Sequence, residues 1–151
     1  MQKKKVGILL IMDPDNTEDS SGACRSDNVK NRVGQSFKLP GTDETYLVFI
    51  NNCAQDRLKS QTENDAQLDS TAHELGHVLS SIFRIPGGMQ DDPRPRKEID
   101  SANACCIRHG ATAEQLKRIQ TNELLAWKLA KKIRPQVSPD GIKAALDSYG
   151  V

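Results

Sequence analysis

The sequence predicts an α+β fold, a small twisted sheet packed against two long helices. Three observations carry that expectation. The stretch Thr45-Tyr46-Leu47-Val48-Phe49-Ile50-Asn51 is β-branched and aromatic, the composition of a strand. Over 64–84, Ala72, Leu75, Val78, Leu79 and Ile82 make much of a helix surface apolar. Over 112–134, Leu116, Ile119, Ala126, Trp127, Ala130 and Ile133 recur at helical spacing. The chain has 151 residues, enough for a single domain over 1–151 with a proper core, and at 4% aromatic that core is built of aliphatics.

Taken in order, the first element is a strand at 5–12. The run Val6-Gly7-Ile8-Leu9-Leu10-Ile11-Met12 follows three lysines, as a signal peptide would. It is short, however, and ends in Asp13-Pro14-Asp15 without a small-residue cleavage site, so a buried strand in a cytoplasmic protein is the expectation. Residues 13–28 are polar and read as loop. A second strand is expected within 32–39, closed by the turn signal Pro40-Gly41-Thr42-Asp43 before the strand at 45–51. The helix over 64–84 is expected to stop at Ile85-Pro86-Gly87-Gly88. Residues 87–104 are rich in Gly, Pro, Asp and Arg and read as an exposed, mobile loop. Thr112 with Gln115 forms a capping-box signature for the next helix, which ends at Pro135. Residues 135–151 form a C-terminal extension with a short helix after Pro139-Asp140-Gly141.

Composition narrows the partners. Net charge is +1, from 21 basic and 20 acidic residues, which argues for neither nucleic acid nor a membrane surface. The four cysteines, Cys24, Cys53, Cys105 and Cys106, contain no C-x-x-C and read as thiols. A second metal on Cys105 or Cys106 with His109 would lack ligands.

The chemistry concentrates in His73-Glu74-Leu75-Gly76-His77, an H-E-x-x-H pattern holding two of the chain's three histidines. By composition it arises by chance in roughly one such chain in a few hundred. Positions i and i+4 lie on one helix face, so His73 and His77 can offer imidazole nitrogens to one metal ion. Glu74 is rotated to one side, where its carboxylate can take a proton from a water on the metal. The bland alternative is a surface helix with an incidental histidine pair, but the apolar flanks bury this helix, and buried imidazoles need partners.

A catalytic zinc takes a third protein ligand. Glu123 lies inside the apolar stripe of the 112–134 helix, away from Lys117, Lys128 and Lys132. A carboxylate there is costly unless paired or metal-bound, so the alternatives are a ligand, a buried salt bridge or a stripe-edge side chain. His109 is the rival ligand. It could instead hydrogen-bond a developing oxyanion as a catalytic residue, or be a loop histidine. Glu98 and Asp100 are further candidate carboxylate ligands from the loop. The three-histidine continuation of metzincins is absent, since its positions are Ser80 and Phe83.

His73-Glu74-Leu75-Gly76-His77, followed by Glu123-Leu124-Leu125-Ala126-Trp127-Lys128-Leu129-Ala130, resembles the gluzincin branch of zinc peptidases. More narrowly it is similar to the small ImmA/IrrE-like metallopeptidase domains of phage and mobile-element regulators. There a strand ending in asparagine, here Asn51, precedes the motif helix, and a later helix carries glutamate before an Ala-rich run ending near a proline, here Pro135. The resemblance covers residues 45–135. It implies a zincin-like fold, one Zn2+ per chain on His73, His77 and Glu123, and hydrolysis of a protein or peptide through a water activated by Glu74. It also implies that Thr45–Asn51 forms the cleft edge, where an extended substrate could pair as an added strand. Tyr46 and Tyr149, besides His109, are candidate oxyanion donors. The competing expectation is a zinc-binding regulatory or interaction module that keeps the fold and does not cleave.

Overall fold

A computed structural model describes residues 5–13, 34–39, 44–51, 62–92, 112–147 and 149–151. Three strands and three helices lie in this part of the chain: β1 (Gly7–Asp13), β2 (Gly34–Lys38), β3 (Thr45–Asn51), α1 (Glu63–Ile82), α2 (Ala113–Ile133) and α3 (Pro139–Asp147). A short 3-10 turn, Met89–Asp91, follows α1. The architecture is mixed α and β, with the helices following the strands. Among the described residues, no helix is long and apolar enough to cross a membrane. The four cysteines, Glu98, Asp100 and His109 lie outside the described residues.

The sheet is ordered β1-β3-β2. β3 pairs with β1 in parallel, Leu9 opposite Leu47, and with β2 antiparallel, Ser36 opposite Val48. Two expectations change here. β3 is the central strand, so both its edges are occupied and it cannot take up an added substrate strand. Among the described residues β1 lies at one edge of the sheet, and Ile8, Leu9 and Leu10 are each about half exposed, on alternate faces. The apolar run of β1 is equally compatible with a central strand, because strand order is set by distant pairing partners and not by local composition.

α1 is the wall between two cores. On one side Val78, with Leu75 and Ile82, meets Tyr46 and Val48 of the sheet and Met89 of the 3-10 turn. On the other side Ala72 meets Trp127 and Ala130 of α2 and Val137, with Ile142, Ala145 and Leu146 of α3 packed behind. α1 starts at Thr62, whose Oγ1 accepts from the Asp65 amide at 3.1 Å and donates to the Asp65 carboxylate at 2.9 Å. It ends at Ile82, earlier than the glycines suggest. Arg84 turns left-handed (φ 49°), its N–H bonds Ser81 O, and the Ile85 N–H bonds Ser80 O. This pair of bonds is a Schellman closure made without glycine.

The described part of the segment after α1 holds the 3-10 turn, with Met89 buried. Ser80 is fully buried; its hydroxyl donates to the His77 carbonyl at 2.6 Å and accepts from the Met89 amide at 2.9 Å. Met89 thereby reaches the sheet-side core at 3% exposure. The lone methionine in a polar stretch is the signal for this return.

α2 carries the expected capping box: Thr112 Oγ1 accepts from the Gln115 amide and Gln115 Oε1 accepts from the Thr112 amide. Its far end is tied to the start of α1. Arg134 Nε donates to Asp69 at 2.8 Å and Arg134 Nη2 to Asp65 at 3.1 Å, while the Ser138 amide donates to the other oxygen of Asp69 at 3.1 Å. α1 and α2 therefore run antiparallel, and they form the most extensive helix contact among the described residues.

Candidate metal centre

Two sequence periodicities converge where α1 crosses α2. The buried residues of α2 are Ile119, Asn122, Glu123, Ala126, Trp127 and Ala130, a 3.6-period stripe with Glu123 in its middle. The face of α1 turned to that stripe carries Ala72, His73, Gly76 and His77. The helices approach closely at Gly76. A Cβ at that position would stand 3.1 Å from the Ala126 Cα and nearer still to the Ala126 carbonyl oxygen. Only a residue without a side chain lets the two backbones come together here.

That approach brings three ligating atoms to one point. His73 Nε2 lies 3.1 Å from Glu123 Oε2, His77 Nε2 lies 3.5 Å from the same oxygen, and the two imidazole nitrogens are 3.1 Å apart. The His73 and His77 rings meet edge to face, with centroids 4.6 Å apart and planes at 77°. The Glu123 side chain is 3% exposed, His77 8% and His73 12%, so water cannot solvate these groups freely.

The donor set fits a metal ion. Three lone-pair-bearing atoms converge at 3.1–3.5 Å. One shared proton could satisfy one of these lines; a cation at the centre satisfies all three. Two ligands at 2.0–2.1 Å on a tetrahedral ion stand about 3.3 Å apart, the middle of the observed range. Two imidazoles and one carboxylate suit a divalent transition metal better than a hard calcium site, which takes six to eight oxygens. The cluster of His73, His77 and Glu123 could therefore hold a metal ion.

Glu74, directly after His73, is 5% exposed. At about 100° round the helix from His73, it is carried by the same rigid element without belonging to the three-atom cluster. Tyr46 is removed as an oxyanion donor. It is 1% exposed in the sheet-side core, and its hydroxyl donates to Ser81 Oγ at 3.0 Å. Tyr149 sits against α2, its carbonyl accepting from Gln120 Nε2 at 2.9 Å, one turn before Glu123.

Two residues of the site are missed by motif reading. Gly76 is the contact point of the helices, and an isolated glycine inside an apolar helix is the available signal. Trp127 stacks on His73, with ring centroids 4.1 Å apart and planes at 27°. Its spacing of four residues from Glu123 puts it on the same face of α2 as the carboxylate.

No family model, curated protein or solved structure matches this chain.

Proposed function

We propose that the chain is a zinc-dependent metallopeptidase of the two-histidine, one-glutamate kind, with a zincin-like arrangement of sheet and helices. The observation that carries the reading is the meeting of His73 Nε2, His77 Nε2 and Glu123 Oε2 within 3.5 Å, with a glutamate next in sequence to the first histidine. His73, His77 and Glu123 would hold the ion. Zinc bound there supplies a Lewis acid that acidifies water and polarises a carbonyl.

The protein's own part is acid–base work and orientation. Glu74 accepts the proton of the attacking water and returns it to the leaving amine, so one carboxylate serves both halves of the hydrolysis. Of the sheet's two outer edges, that of β2 belongs to a strand that packs on α1. An extended substrate is placed along that edge, with main-chain hydrogen bonds fixing its direction.

The experiment is a Glu74→Gln variant assayed for zinc content and for cleavage of an unfolded protein. Zinc should stay near one per chain while cleavage falls by at least about a hundredfold, the usual worth of an acid–base group. Undiminished cleavage would remove Glu74 from the reaction, and a folded wild-type chain that takes up no zinc would end the reading altogether.

A further inference from the structure

A histidine that ligates a metal ordinarily has its ring held by a hydrogen bond from its second nitrogen to a carboxylate or carbonyl. His73 departs from that pattern. Its Nδ1 is buried and makes no hydrogen bond among the described residues. Something else must keep Nε2 aimed at Glu123, since the free imidazole rotates about a broad, two-fold torsion.

We propose that Trp127 is a positioning residue of the metal centre, its indole face holding the His73 ring in the ligating orientation. The inference rests on the metal reading above. The two rings are nearly parallel at 4.1 Å, the geometry of an offset stack, so rotating the imidazole would drive its edge into the indole. The indole is itself clamped. It is 9% exposed and packs with Ala72, Ala130 and Val137, backed by Ile142, Ala145 and Leu146. His77 also meets the His73 ring, edge to face. Trp127 and Glu123 sit four residues apart on α2, so one helix face delivers both the third ligating atom and the ring that aligns the first. An aromatic stack is weaker than a charged hydrogen bond but acts through a plane. A flat partner should therefore substitute for tryptophan, and an aliphatic one of similar bulk should not.

The test compares Zn2+ affinity, by competition with a chromogenic chelator, in the full chain and in Trp127→Phe, Trp127→Leu and Val48→Ala. Trp127→Phe should bind within about threefold of wild type, and Trp127→Leu should bind roughly 10- to 100-fold more weakly, the usual cost of losing a ligand's support. Val48→Ala loosens the separate sheet-side cluster on the other side of α1 without touching the indole or its neighbours; it should lower the melting temperature and leave affinity within about threefold. A folded Trp127→Leu chain that binds like wild type overturns the proposal, and so does a Val48→Ala chain that weakens as much as Trp127→Leu.

Should Trp127→Leu not fold, emission decides, because the chain has one tryptophan. Zn2+ should alter that emission in wild type, and His73→Ala should alter it without metal. No change in either overturns the proposal. A wild-type chain that binds no Zn2+ overturns the metal reading and this proposal together; binding with an indifferent Trp127 overturns this proposal alone.

Discussion

Gly76 of α1 lies against the backbone of Ala126 of α2, so close that no Cβ fits between them. The convergence of His73, His77 and Glu123 depends on this contact. His73 and His77 stand three residues before and one residue after Gly76, and Glu123 stands three before Ala126. Any side chain at Gly76 moves the histidines away from the carboxylate.

The Gly76→Ala variant sets two effects of opposite sign against each other. In an exposed helix interior, alanine stabilises by about 1 kcal/mol over glycine. Here the added methyl meets main-chain atoms that cannot swing aside, and overpacking of that kind costs typically 1–3 kcal/mol. The contact should win. Urea unfolding should show net destabilisation, and zinc affinity should fall with it. A variant as stable as wild type with unchanged zinc affinity would contradict the crossing geometry.

Glu123 and His109 are separable by metal retention. Glu123→Ala removes one of three converging atoms and should release zinc, while His109→Ala should retain it. Glu123→Gln keeps the shape and loses the charge, so its affinity should lie between those of wild type and Glu123→Ala. If only His109→Ala loses the metal, the third ligand is His109 and the Glu123 carboxylate is an ion-pair partner of the histidines.

Zinc should stabilise the fold by simple linkage. At free zinc a hundredfold above the dissociation constant, the gain is about 2.7 kcal/mol. Differential scanning calorimetry with zinc, and again after excess chelator, should show a melting temperature several degrees apart. In the Glu123→Ala chain the two traces should coincide.

Asp69 and Asp65 both meet Arg134, yet they should differ in worth. Asp69 is 6% exposed and accepts from both Arg134 and the Ser138 amide. Removing it strands a half-buried guanidinium and a backbone N–H, a loss of about 2–3 kcal/mol. Asp65 is half exposed, and Asp65→Ala should cost at most about 1 kcal/mol. Equal melting temperatures for the two variants would show that the Asp69 pairing carries no such weight.

How much of this is legible in the chain follows from the range of the physics involved. The two long helices announce themselves through 3.6-residue periodicity, and the Thr112–Gln115 box through a three-residue spacing. The position of Glu123 on a buried stripe follows from the same period. The placement of β3 between β1 and β2 is nonlocal, and an apolar run reads alike at the centre of a sheet and at its edge. The return of Met89 to the core depends on Ser80, nine residues earlier, which offers one hydroxyl to two backbone groups. The stack of Trp127 on His73 needs two helices to be placed in space before it exists.

α1 is the one surface common to both apolar clusters, and that bears on how the molecule comes apart. Neither the sheet nor the α2–α3 pair can detach without exposing a full side of α1, so partial opening is expensive on either flank. Amide protons of α1 around His77 and Val78 should therefore be among the slowest to exchange in the protein. Their exchange should report global unfolding, and ions would be lost chiefly in the same event that dissolves the whole domain.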